Sequence, residues 1–464
     1  MIITNGALAL PGEAAPVRLS LRVREGRIAE IAPSLAPSPG EETVDASGLL
    51  VMPGAIDPHV HFDEPGFTER EDFLHGSAEA ARGGVTTVID MPCTSLPPVI
   101  DLPALEGKLE AVSKSALVDF GLYGGVSGHA IEASLGRTMA DLAPKVLGFK
   151  CYFISGMKTF TRVTHLDFER ALAEAQRLGR PLLLHAEDLD YVTSATEFVR
   201  ARRGELAPEW SDYADSRPEA AELVAAASAL ALARGREGSL HVVHVGTAAA
   251  AQAIAAAGAS CETCAHYLAF GREDFAALGS SLKTAPVVKG RSEREALWRL
   301  LADGTIGFAA SDHAPSLRAE KETGDPWTAY GGIPGVGTGL PYLLSEGYLA
   351  GRLTLPRFLD AIAARAAMRY GLAARKGSLA PGKDADLVLV DPRLATIVKG
   401  DDLLSKGRIT PFEGMRLTGR ILATYVRGRK VFDSATAAEG RGLSGLPGIV
   451  ADPGYGQFLT WGCS

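Results

Sequence analysis

The chain has 464 residues, 46% hydrophobic and 22% charged, with a formal net charge of −8. Such a length predicts one large domain plus an accessory one, and the acidic balance excludes nucleic acid and anionic membrane as partners. No apolar stretch is long enough to span a bilayer, Met1 to Gly6 carry no leader pattern, and five cysteines are too few and odd for a disulfide framework, so a cytoplasmic protein is expected.

In chain order, residues 1–53 read as short strands. Val17, Leu19, Leu21 and Val23 alternate with polar residues, Glu25-Gly26 makes a hairpin turn, and Ile28 to Ile31 return. A second β-rich region begins near Gly377, with a strand over Asp386 to Asp391 and a hairpin from Ile421 to Phe432. The two ends are expected to pair into one small β-sandwich domain, 1–53 with 377–435. The glycine-rich tail 436–464 is open to two readings, a lid or an intersubunit arm.

Residues 54–376 alternate strand and helix patterns, which implies βα units and a parallel sheet. Strands are expected at 55–61, 85–91, 118–125, 146–153, 181–185, 239–244, 260–265 and 306–312. Eight alternations over this length fit a (β/α)8 TIM barrel, and no GxGxxG follows an early strand to suggest a dinucleotide fold.

Barrel enzymes keep their chemistry at the carboxyl ends of the strands. In Asp57-Pro58-His59-Val60-His61, two histidines one residue apart point to the same side of a strand and supply half of a divalent-metal site. Lys150 lies inside an apolar strand, His185 and His244 end two others, and Asp312 ends the last. Taken singly, each has a plain structural role: a satisfied polar residue, a buried ion pair, a turn cap. Their coincidence at one end of the expected barrel points instead to a shared site.

Those segments, with Gly84 to Pro92, Ser311 to Pro315 and Gly377 to Asp386, resemble the amidohydrolase superfamily over nearly the whole chain. The resemblance is to its cyclic-amidase branch of allantoinases, dihydroorotases and dihydropyrimidinases. It implies two zinc ions, one on His59, His61 and Asp312, the other on His185 and His244, bridged by a carboxylated Lys150. A lysine ammonium has donors only and repels cations, whereas a desolvated lysine with a lowered pKa can take up CO2 as a carbamate. Two metals about 3.5–4 Å apart would share a water and acidify it. Asp312 would then act as base and, later, as acid.

Four positions depart from dihydroorotases, which must hold a carboxylate. Asp63 stands where they place arginine, Cys93 and Ala285 where they place asparagine, and Ser316 where they place histidine. Asp63 is expected to repel a carboxylate. Met91 to Pro98, Phe149 to Phe153, Cys261 to Tyr267 and Trp327 to Ile333 look more like allantoinases, although Gly66 to Phe73 sides with dihydroorotases. The activity expected is therefore allantoinase-like, opening allantoin, a small neutral ureide, to allantoate. Dihydroorotase and hydantoinase or dihydropyrimidinase are alternatives, and a non-catalytic structural homologue is one of another class. The resemblance also implies ring-amide contacts from the backbone of Gly331 and Gly332, and a homo-oligomer, dimer or tetramer.

Of the remaining residues, Cys261-x-x-Cys264 lacks a second pair and reads as barrel strand rather than zinc site. His266 is assigned to a supporting position near the site and His313 to a structural role. Glu187 is expected to orient a histidine, and Arg217-Pro218 to start a helix.

Overall fold

The computed structural model describes residues 1–131 and 135–463. Local turn chemistry shapes both chain ends. The hairpin Val17–Arg24 and Arg27–Ala32 turns through Glu25 and Gly26 at φ 50° and 76°, a left-handed pair whose twist matches that of the strands. Arg427 and Gly428, at φ 46° and 74°, do the same between Arg416–Val426 and Arg429–Asp433.

The two ends meet. Leu50–Pro53 pairs antiparallel with Leu387–Ile397, placing both in one eight-stranded sheet. Alternation along the strand lets it serve two cores at once. Leu387 and Leu389 pack with Ile3, Leu21, Ile28 and Tyr425, while Val388 and Val390 join the larger core beneath.

The middle of the chain forms the expected barrel. Its parallel strands are Ala55–Val60, Val85–Asp90, Asp119–Leu122 continued by Gly124–Gly125, Phe149–Tyr152, Leu182–His185, Leu240–Val242, Ser260–Cys264 and Phe308–Ala310. Closure occurs beyond the last strand. The His61 N–H donates to the His313 carbonyl at 2.7 Å, and the His313 N–H donates to that of His59 at 3.3 Å. Asp57 adds a side-chain stitch, accepting from the backbone N–H of His59 and of Ser311 at 3.2 and 3.1 Å.

At the opposite end, a buried ion cluster joins the barrel to the C-terminal part of the sheet. Lys376 Nζ lies 2.5, 2.9 and 2.7 Å from carboxylate oxygens of Asp119, Asp384 and Asp386, and Arg427 also pairs with Asp119. The tail packs here too. The Phe120 N–H donates to the Gln457 carbonyl at 2.9 Å, and the Leu459 N–H to that of Phe120 at 2.7 Å. A lid would cover the carboxyl ends of the strands; this segment pairs with the start of the third strand, at the other end. Among the described residues, no helix is long and apolar enough to cross a membrane.

Candidate active site

The barrel brings all six expected donors to one end. His59 is the penultimate residue of the first strand and His61 follows its end, Lys150 lies within the fourth, and His185 is the last residue of the fifth. His244 and Asp312 each sit two residues past a strand, at φ 41° and 49°. Left-handed backbone is costly for residues other than glycine and concentrates at functional sites. Here it turns both side chains inward after the ladder has ended.

Distances define two halves. His59 Nε2 and His61 Nε2 lie 3.3 and 3.4 Å from Asp312 Oδ1, and the three residues offer ligand atoms within 4.8 Å of one another. His185 Nδ1 faces His244 Nε2 at 3.0 Å. The halves touch, since the His59 and His244 ring centroids are 5.2 Å apart. Burial pushes the Asp312 carboxyl up, but His59 and His61 outweigh it and hold the group well below the usual carboxylate range.

Lys150 is fully buried, its Nζ 4.8 Å from the Tyr152 ring centroid and without a hydrogen-bond partner. Burial lowers its pKa to about 8. At pH 7 about a tenth of such an amine is uncharged and nucleophilic.

Behind the donors stands a layer of carboxylates. Glu187 Oε2 lies 3.0 Å from His185 Nε2, as expected, and also accepts from Arg217 Nη1 at 2.5 Å. Burial raises the Glu187 carboxyl, but Arg217 and His185 prevail and keep it ionised. Glu262, unremarked in the sequence, lies 2.6 Å from His59 Nδ1 and 3.2 Å from His241 Nε2. It occupies the middle of Cys261-x-x-Cys264, whose thiols are free and buried. A charged residue inside a short strand that is otherwise uncharged was the available signal.

A cavity of about 220 Å³ is lined by five of the six donors, His59, His61, His185, His244 and Asp312, with Lys150 not among the lining residues. Of the expected substrate contacts, Cys93, Ala285 and Gly331 line it, whereas Asp63, Ser316 and Gly332 do not. The backbone of Gly332 is engaged elsewhere: its N–H donates to the Lys283 carbonyl at 3.0 Å and its carbonyl accepts from Lys321 Nζ at 2.5 Å. Asp63 is buried below the wall, and burial pushes its carboxyl up to about 7, so contact with substrate does not supply the expected repulsion. Tyr152, Thr94, Ser155, Arg217 and Tyr330 are lining residues that sequence reasoning missed. Tyr152 Oη and Cys93 Sγ are 3.1 Å apart, and Cys93 Sγ is 3.7 Å from His61 Nδ1.

His266 is buried but does not line the cavity. His313 is structural: its Nδ1 accepts from the Gly335 and Val336 N–H groups at 3.1 and 3.3 Å, and its Nε2 faces Glu71 at 3.3 Å. Arg217-Pro218 precedes the helix Glu219–Leu232, with Pro218 at its cap.

Four histidines, a lysine and an aspartate thus gather at one end of a parallel barrel, and comparison with known proteins supplies the family. The model of the amidohydrolase family matches residues 50–431. The chain is 40% identical over 438 residues to an allantoinase of Rubrobacter xylanophilus, covering 93% of each protein. It is 40% identical over 408 residues to a dihydroorotase of Halobacterium salinarum, covering 87% of this chain and 92% of that protein. The L-hydantoinase (dihydropyrimidinase) of Arthrobacter aurescens superposes with a TM-score of 0.90 at 29% identity, over 99% of both chains. The chain belongs to the amidohydrolase family and is a hydrolase of the cyclic-amide type.

Proposed function

We propose that this protein opens a neutral cyclic ureide, converting allantoin to allantoate, in a centre holding two divalent cations. The observation that carries the reading is Lys150, a fully buried amine with no partner, set among four imidazoles and a carboxylate. A structural lysine would be paired in such a place. The donor set fits two ions, with His59, His61 and Asp312 holding one and His185 and His244 the other. The two ring nitrogens, within hydrogen-bond reach of each other at 3.0 Å, are also close enough to share a cation. His244 Nδ1, which is buried without a partner, belongs to the same half.

When bound, the ions supply Lewis-acid polarisation of a carbonyl and an acidified water. The chain supplies the rest. Lys150 Nζ, in its uncharged form, adds to CO2; the N–C bond forms, one proton leaves, and the side chain becomes an oxygen donor able to bridge both halves. Glu262 and Glu187 fix which nitrogen of His59 and His185 faces inward. Asp312, held ionised, accepts a proton during attack on the ring carbonyl and returns it to the departing nitrogen. All six donors are retained, which argues against a non-catalytic homologue.

The allantoinase relatives favour allantoin over the other rings, as does the lack of an asparagine at positions 93 and 285, both of which line the cavity. A panel of allantoin, dihydroorotate and hydantoin, assayed with zinc and bicarbonate, tests the assignment. Opening of dihydroorotate with allantoin untouched would refute it.

A further inference from the structure

We propose that Arg217 reads the substituent on the ring, its guanidinium donating to the carbonyl oxygen of the exocyclic ureido group. This deepens the ureide reading above and rests on it. Arg217 is the one lysine or arginine side chain among the residues lining the cavity. Among the described residues its side chain makes a single hydrogen bond, Nη1 to Glu187. A guanidinium has five N–H donors, so four remain for a ligand.

The side chain is presented rigidly. Its Cζ lies 5.6 Å from the Tyr213 ring centroid, and its backbone carbonyl accepts from Lys289 Nζ at 2.7 Å. Pro218 restricts the backbone before it.

Charge selects the ligand. Glu187 already neutralises Arg217, and Lys289 is paired with Glu222 at 2.9 Å. A second carboxylate placed here would meet Glu187 as well as Arg217, whereas a neutral carbonyl oxygen gains the donors without that repulsion. The cavity is smaller than the roughly 300 Å³ at which drug-sized pockets begin, and so suits one small ring with a short arm.

The test compares two ligands that differ only in that arm. KM is measured for allantoin, together with the inhibition constant of hydantoin, the same ring without the ureido group. Wild type, Arg217→Gln and Arg217→Lys are assayed, and metal content is determined for each. Losing hydrogen bonds from a charged donor should raise the allantoin KM of Arg217→Gln by about 10- to 100-fold. With zinc supplied in excess, so that any loosening of His185 through Glu187 does not empty the site, hydantoin inhibition should stay within about threefold; Arg217→Lys, which keeps the charge but loses the fork, should fall between. Equal weakening of both ligands, or a fall in bound metal with the allantoin KM intact, would overturn the proposal and leave Arg217 acting only through Glu187 on His185. Should wild type open another ring and not allantoin, the ureide reading fails separately. The inhibition constant of allantoin then replaces its KM, and the same comparison still decides the role of Arg217.

Discussion

Replacing Glu262 by glutamine isolates how far the site depends on what stands behind it. The carboxylate is fully buried and approaches His59 Nδ1 at 2.6 Å, with His241 Nε2 on its other oxygen at 3.2 Å. Glutamine keeps the volume but offers one acceptor oxygen where two imidazoles compete, and its amide nitrogen presents hydrogens to the other. A charge-assisted hydrogen bond of this kind contributes about 1.5–3 kcal/mol. Groups that orient a metal-binding histidine change metal affinity by about 10- to 100-fold when altered, which is the same range. The expectation is therefore zinc binding weakened about 30-fold, read by competition against a chelating dye, with metal-free protein melting close to wild type. One feature works against this. Burial pushes the Glu262 carboxyl well above its ordinary value, and a protonated carboxyl already resembles an amide. Affinity within about threefold of wild type would mean that Glu262 is neutral and does not hold His59 by charge, refuting the argument from the short contact.

Three further outcomes follow from the geometry. Asparagine tolerates the left-handed backbone at position 312, so Asp312→Asn should fold normally while kcat drops by about 10²- to 10⁴-fold; a kcat within tenfold of wild type would remove Asp312 from proton transfer. With a Lys150 pKa of about 8, roughly a quarter of the amine is uncharged at pH about 7.5, against about one in a thousand at the ordinary value. Reactivation of metal-stripped protein by zinc, at a fixed concentration of dissolved CO2, should therefore quicken as pH rises toward 8 and level off above it; a rate indifferent to pH would contradict the carbamate. Lys376→Met leaves three buried carboxylates short of a cation and should destabilise the fold by about 3–5 kcal/mol in denaturant titration, with kcat of the folded protein preserved. An unchanged midpoint would show the cluster to be energetically idle.

The barrel and the gathering of six candidate donors at one end of it were legible because they obey local rules. Strand period two sends His59 and His61 to one side, and parallel strands share an active end, so linear order was enough to gather Lys150, His185, His244 and Asp312. Strand lengths were less readable. The sixth stops at Val242 and the eighth at Ala310, short of the expected 244 and 312, because the inward turns at His244 and Asp312 end the ladder. Glu262 went unassigned, and Arg217 was assigned only to a helix start, for a different reason. Their roles exist only in contacts with residues 203 and 30 positions away, and nothing in the local pattern marks a partner at that range. The cavity wall was the least readable part: Gly331 reaches it and Gly332, its neighbour, does not, a distinction made by loop backbone bonds to Lys283 and Lys321.

The direct test of the two-cation centre is diffraction at the zinc absorption edge from crystals grown with zinc and bicarbonate. Two anomalous peaks are predicted, one against His59, His61 and Asp312, the other against His185 and His244, with added density on Lys150 Nζ reaching both. A single peak, or a bare Lys150 amine beside an ion, would contradict the account.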